Sequence, residues 1–281
     1  MATIAELENI AWQIRRDIIR MVNGASSGHP GGSLGCADLM TALYFEVLDL
    51  EPKNFTMEGV GEDMFFLSNG HISPVWYSVL ARRGFFPIKE LSTFRVLGSA
   101  LQGHPTPKYS LPGVRVASGS LGQGLSVSIG ASLGKKLNGC NHLIYTLCGD
   151  GELQEGQIWE AIMFAGSNKI DNLITIIDRN NAQIDGEVDN VCSLNNLKAK
   201  FLAFDWDVVQ MEGNDMKDCI RGLKEAKQLT GKGKPVAIIM NTLMGYGVDF
   251  MQGSYKWHGV APNTEQTANA LSQLKETLGD Y

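Results

Sequence analysis

The feature that most narrows the fold lies mid-chain. The apolar run "HLIYTLC" (142–148) leads through "GDGELQEG" into a helix-patterned segment from about Gln157 to Ser167, then into a second apolar run, "NLITIID" (172–178). Two short β-rich runs separated by one helix have the length and pattern of a βαβ crossover, which makes the two strands parallel. Runs that are apolar at consecutive positions belong to strands covered on both faces. Further units follow: a strand in "WDVVQM" (206–211), a helix over 215–229, a strand in "PVAIIMNTL" (235–243) and a closing helix from Thr264 to Leu278. Upstream, "MFFLSNGH" (64–71) and "RVASGSLGQG" (115–124) each read as an apolar segment, a Gly-bearing turn and a helix. Strands alternating with helices predict a doubly wound, mainly parallel α/β sheet with helices on both faces.

The opening residues put Ile4, Leu7, Ala11, Ile14, Ile18 and Val22 at helical spacing among charges, an amphipathic helix and not a signal peptide. A second helix is expected through "CADLMTALYFEVL", after the Gly/Ser-rich loop "NGASSGHPGGSLG". No Pro-rich, low-complexity or highly charged linker divides the 281 residues, so a single domain over 1–281 is expected. The nineteen residues "GYGVDFMQGSYKWHGVAPN" (245–263) lack a regular pattern; a loop of that length, rich in aromatics and histidine, is expected to be functional. A net charge of -6 without a Lys/Arg cluster argues against nucleic acid as a partner, and no apolar run is long enough to span a membrane. Five cysteines without CxxC spacing (Cys36, Cys140, Cys148, Cys192, Cys219) argue against disulfides or zinc and predict a reducing cytoplasm.

In a parallel sheet, loops leaving the carboxyl ends of the strands gather on one edge, where ligands bind. Asp150 ends one strand and "DRNNAQIDG" (178–186) leaves its neighbour, so Asp150 is expected near Asn180. A carboxylate, an amide oxygen and a main-chain carbonyl are hard donors suited to magnesium or calcium, and a site of such low charge completes its shell with water and phosphate oxygens. Gly149 and Gly151 would let backbone N–H groups approach an anion. The alternative is that Asp150 and Glu152 merely favour a helix N-terminus. There is no P-loop, and "GSLGQG" has the wrong spacing for a dinucleotide fingerprint.

With GDG at 149–151 and the asparagine pair at 180 and 181, the chain resembles the thiamine diphosphate enzymes. With "SSGHPGGSLG", "LSNGH", "QGHP", "SGSLGQG", "GDGELQEG" and "WHG" in order from about residue 26 to 259, it resembles transketolase. The resemblance implies a diphosphate-binding domain, the N-terminal half of a split transketolase. The pyrimidine-binding and C-terminal domains would lie on a separate B chain, in an A2B2 heterotetramer. It implies thiamine diphosphate with magnesium, or calcium or manganese in its place, held by the side chains of Asp150 and Asn180 and the carbonyl of Ala182. Gly149, Gly151 and Glu152 would lie at the diphosphate, Gly119 and Leu121 along the thiamine portion, and Ile184 and Met244 as apolar contacts. His29, His71, His104 and His258, each in a Gly- or Pro-flanked loop, would line the substrate channel and serve sugar hydroxyls and proton transfer. His258 would also approach the diphosphate. Glu155 and Glu160 would face the subunit interface and couple the two active sites, with surface acids at a helix start as the alternative. His142, opening a strand, reads as structural.

The activity implied is transfer of a two-carbon ketol unit between sugar phosphates, as in the pentose phosphate pathway. The alternatives are a component of another thiamine enzyme, such as the α chain of a 2-oxoacid dehydrogenase or a deoxyxylulose phosphate synthase, or a non-catalytic module that retains the fold. "SSGHPGG" and "QGHP", read as sugar-hydroxyl contacts, favour transketolase.

Overall fold

A computed structural model of the chain describes residues 2–281. Its α-helices and strands run in the order α1 (Ile4–Gly24), α2 (Pro30–Gly35), α3 (Ala37–Ala42), β1 (Met64–Leu67), α4 (Ser73–Arg83), α5 (Gly124–Leu137), β2 (Ile144–Gly149) and α6 (Gly156–Ser167). They continue with β3 (Leu173–Arg179), β4 (Ala182–Gln183), β5 (Gly186–Glu187), α7 (Val188–Cys192), α8 (Leu197–Ala203), β6 (Asp207–Glu212), α9 (Met216–Leu229), β7 (Val236–Asn241) and α10 (Thr264–Gln273).

Five strands form one parallel sheet in the order β1-β2-β3-β7-β6, and β4 and β5 make a small antiparallel hairpin beside it. The crossover expected from the two apolar runs is present, with Ile144 opposite Leu173 and Gly149 opposite Asp178. Successive side chains of a strand point to opposite faces. Accordingly Tyr145, Leu147, Ile174 and Ile176 pack into a core shared with α1, α3, α4 and α9. Their neighbours Ile144, Cys148, Leu173 and Ile177 pack into a second core with α5, α6 and α8. Both layers are dry, which is why these strands read as unbroken apolar runs.

Helix α1 turns the expected face inward: Leu7, Ala11, Ile14, Ile18 and Val22 are all fully buried. Its start is set by a capping box, in which the Thr3 hydroxyl accepts from the Glu6 N–H and the Glu6 carboxylate accepts from the Thr3 N–H. The segment "CADLMTALYFEVL" is helical as expected up to Val47, but Leu43–Val47 form a π-helical turn and Leu48 is extended.

Two expectations need correction. Residues 115–124 contain no strand; the chain there is irregular until α5 begins. Val114 is buried, but Pro112 and Gly113, the latter at φ 96°, leave no length of extended chain to extend the sheet beyond β1. The closing helix stops at Gln273 and not at Leu278, because Leu274 turns to an extended conformation and buries its side chain. The Arg16 guanidinium donates to the carbonyls of Leu271 and Leu274 and to Asp280, so contacts with α1 hold the chain out of the helix there.

Candidate functional site

The carboxyl ends of β2 and β3 build one wall of a cleft of about 360 Å³. The register that sets Gly149 beside Asp178 brings Asp150 within reach of the 178–182 segment. The Asp150 carboxylate accepts from the Asn181 N–H at 2.6 Å and from the Gly151 N–H at 2.8 Å. Asn181 reaches that position in the left-handed region, at φ 55°, where asparagine is among the tolerated residues. Asn180 is oriented from both ends: its amide Nδ2 donates to Asp178 at 2.8 Å, and its Oδ1 accepts from the Ala182 N–H at 2.9 Å. Asp178 in turn accepts from the Thr242 hydroxyl at the end of β7. Asp150, Asn180 and Ala182 therefore share one wall of the cleft.

Asp150 and Asp178 are 2% and 1% exposed, and no lysine or arginine offsets them. Burial, with the Asp178 charge second, raises Asp150 to about 7. Two buried carboxyl groups without a cation, beside an amide oxygen and a peptide carbonyl, are the chemistry a divalent cation would complete. Among the described residues no three His, Cys, Asp or Glu side chains converge as a self-sufficient metal site. A cation here would need ligands from outside the protein, and phosphate oxygens are of the right kind. The residues fit a magnesium-bound diphosphate.

The glycines of the GDG turn differ from expectation. The Gly149 N–H donates to Glu152 at 3.1 Å and the Gly151 N–H to Asp150, so both donors are already engaged by protein carboxylates. A 3₁₀ turn, Gly151–Gln154, separates the triplet from α6, so Asp150 and Gly151 do not open that helix. Glu152 borders the cleft, but its buried carboxylate accepts from the Gly149 and Gly122 N–H groups and the Ser68 hydroxyl. It ties together the loops after β1 and β2 and the turn entering α5.

Three histidines, His29, His71 and His258, border the same cleft. The His29 ring centroid lies 5.1 Å from His71, 5.7 Å from His258 and 6.4 Å from His104, and His71 lies 5.0 Å from His258. Four loops, each from a different part of the chain, thus deliver one cluster. Burial pushes His29 down to about 4, with His258, Arg95 and His104 adding to the effect, and lowers His71, His104 and His258 as well. All four are neutral at physiological pH, each with one nitrogen to donate and one to accept. The Nδ1 atoms of His29 and His258 and the Oδ1 of Asn69 are buried without a protein partner. Such groups carry an unmet hydrogen-bonding demand that a polar ligand can satisfy.

Gly119, Leu121, Ile184 and Glu155 also border the cleft. Gly119, at φ 132°, is where a Cβ would come within 3.0 Å of the His104 ring, so glycine there lets His104 close on the loop. Three residues singled out from the sequence stand elsewhere. His104 joins the ring cluster without bordering the cleft, packed against Gly119. Met244 is buried beneath α2, where a Cβ on Gly31 would meet its Cγ at 2.7 Å. Glu160 lies on the exposed side of α6, in a depression shared with α5 and lined by Leu133 and Phe164. Sequence reasoning missed Asp178, Asn69 and Arg95. Only Asp178 had a visible signal, an acid ending an otherwise apolar run.

Residues 7–279 match the family described as transketolase, thiamine diphosphate binding domain. The chain belongs to the transketolase family. It is similar over its length to two proteins named as transketolase subunits. One is the first (A) subunit of the apulose-4-phosphate transketolase of Phocaeicola vulgatus, 38% identical over 94% of this chain and 92% of that one. The other is the 6-deoxy-6-sulfo-D-fructose transketolase subunit SqwG of Clostridium sp., 36% identical over 96% and 97%. Among solved structures, the transketolase from Campylobacter jejuni superposes with a TM-score of 0.87 at 36% identity, covering 97% of this chain and 43% of that one. The chain thus matches these two subunits nearly end to end and less than half of a solved transketolase. The doubly wound sheet is the transketolase fold of the thiamine diphosphate-binding half. No helix among the described residues is long and apolar enough to cross a membrane.

Proposed function

We propose that this chain is the diphosphate-binding component of a transketolase that moves a two-carbon ketol unit from a ketose phosphate to an aldose phosphate. It would act with a B chain that carries the pyrimidine-binding domain, in an A2B2 assembly. The observation that carries this reading is the meeting of Asp150, Asn180 and Ala182 at the ends of two adjacent parallel strands, in one cleft with three clustered histidines, His29, His71 and His258.

In this reading Asp150, Asn180 and the Ala182 carbonyl hold a divalent cation, magnesium by the hardness of the donors. Thiamine diphosphate, when bound, supplies the electron sink for breaking a carbon–carbon bond beside a carbonyl. The chain's own residues place and orient. His29, His71 and His258 exchange hydrogen bonds with sugar hydroxyls and hold a proton near the reacting carbonyl. His104 steadies the Gly119 loop along the cofactor, Leu121 and Ile184 bound it with apolar surface, and Met244 supports the floor from below. Glu155 and Glu160, at the start and on the outer side of α6, face the partner. The length match to relatives named as subunits supports a split enzyme. Their names also bring an apulose phosphate and a sulfonated deoxyfructose, beside the sugars of the pentose phosphate pathway, among the candidate substrates.

The test is to titrate the chain, alone and with its candidate B chain, with thiamine diphosphate in the presence and absence of magnesium, and to assay ketol transfer. Magnesium-dependent binding and activity only in the mixture are expected. Full turnover by this chain alone, or cofactor binding indifferent to magnesium, would overturn the proposal.

A further inference from the structure

A second cluster of reactive side chains lies on the other edge of the sheet, away from the cleft. Cys140 sits between the end of α5 and the start of β2, half-exposed, its N–H bonded to the Lys135 carbonyl at 2.9 Å. Its Sγ lies 3.4 Å from Nδ1 of His142. The other ring nitrogen of His142, Nε2, faces the Asp49 carboxylate, also at 3.4 Å. Lys135 brings its ammonium to 3.8 Å from the same sulfur, fixed there by the carbonyls of Gly59 and Glu62 at 2.7 and 2.6 Å. A thiol, an imidazole and a carboxylate stand in line, with a fixed cation beside the thiol. A histidine that gives its Nε2 proton to a carboxylate presents Nδ1 as an acceptor for the thiol proton.

We infer that Cys140 is a nucleophilic thiol, activated by His142 and Lys135, that undergoes exchange with small disulfides. In the reaction the thiol proton passes to His142 Nδ1 and the thiolate attacks one sulfur of the disulfide. A new S–S bond forms to Cys140 as the old one breaks, and the departing thiolate takes up the proton. Oxidation state balances: the protein thiol is oxidised and half of the small disulfide is reduced.

The other cysteines supply the contrast. Cys36, Cys148 and Cys219 are buried, and burial pushes each thiol well above its usual value. Cys192 is exposed, and its thiol has no hydrogen-bond partner among the described residues. Cys140 is held below the usual thiol range, first by the His142 N–H; burial opposes this, and the His142 ring, the Lys135 charge and the Gly61 N–H add smaller lowering effects. The cluster is not a metal site: the two His142 nitrogens point to different partners, and no three ligating groups converge among the described residues. The inference is independent of the thiamine diphosphate reading, since none of these residues borders the cleft.

The test treats the full folded chain with an aromatic disulfide that releases a coloured thiolate, and maps the modified peptides by mass spectrometry. At pH 7 Cys140 is expected to react about tenfold faster than Cys192, with a rate–pH midpoint below the ordinary thiol range of about 8.5. His142→Gln is expected to slow Cys140 about tenfold and raise its midpoint, with Asp49→Asn giving a smaller change. Cys192 serves as an internal control whose rate stays constant in both variants. Equal rates at Cys140 and Cys192, or a Cys140 midpoint unmoved by both substitutions, would overturn the inference.

Discussion

A histidine buried without an acid behaves differently from one beside a carboxylate, and His29 shows the consequence. Its folded value, about 4, lies below that of an unfolded histidine, so at pH between about 4 and 6.5 the unfolded chain binds a proton that the folded one refuses. Stability therefore falls as pH drops through this window. His71, His104 and His258 shift the same way and add to the slope. Thermal denaturation of the His29→Asn variant between pH 7 and pH 5 should show a shallower loss of Tm than the parent; an unchanged slope would mean that His29 is not the buried neutral base described above. At the ends of β2 and β3, Asp150→Ala and Asn180→Ala should each weaken magnesium-dependent binding of thiamine diphosphate by about a hundredfold or more, as calorimetry can measure, since even outlying partners of metal ligands are worth about 10–100-fold. The identity of such residues was readable because few residue types can do their chemistry. Their environment was not: nothing in "DRNN" says that Asp178 orients Asn180, and nothing in "GDG" says that Glu152 engages the Gly149 N–H.

Elements were legible to the extent that their burial is regular. The strands β1, β2, β3 and β7 coincide closely with the apolar runs, because a strand covered on both faces has no polar position to blur it, whereas β6, at the sheet edge, alternates, burying Val209 and Met211 and exposing Gln210 and Glu212. Ile176, at the centre of β3 and fully buried, should cost about 2–5 kcal/mol when cut to alanine, measured by denaturant unfolding. Helix positions were legible but their spacing to neighbours was not. In α6 a Cβ on Gly166 would lie 1.9 Å from the Phe204 carbonyl oxygen, so Gly166→Ala must push that helix off the 204–206 segment and should destabilise the chain by about 1–3 kcal/mol or more. Gly130, in the exposed part of α5, has open space around it, and Gly130→Ala should stabilise by about 1 kcal/mol through helix propensity alone. The same unfolding measurements decide both, and like signs at the two positions would refute the packing argument. The 115–124 segment misled for a related reason: a few apolar residues look the same whether they pair in a sheet or lie under a loop.

For the molecule as a whole, long-range polar contacts close the structure where the sheet does not reach. Arg16 in α1 holds Asp280 and the carbonyls at the end of α10, and Gln13 accepts from the Thr277 and Leu278 N–H groups. Arg16→Ala should loosen residues 275–281 first, visible as faster amide exchange there while β2 and β3 stay protected; uniform loosening would show that the contact serves global stability instead. Two apolar patterns, one of period 3.6 and one of continuous runs, were enough to determine a parallel sheet with helices on both faces, and residue chemistry was enough to name the oxygen donors and the loop histidines as candidates. Only the tertiary structure decided that four histidines more than 200 residues apart at their extremes share one neutral cluster, that Glu160 and Met244 stand outside the cleft, and that Cys140 meets His142 and Lys135. The physical reason is that periodicity records which side of an element is dry, a property of neighbouring residues in the chain, whereas ionisation state and contact depend on what other segments bring within a few ångströms.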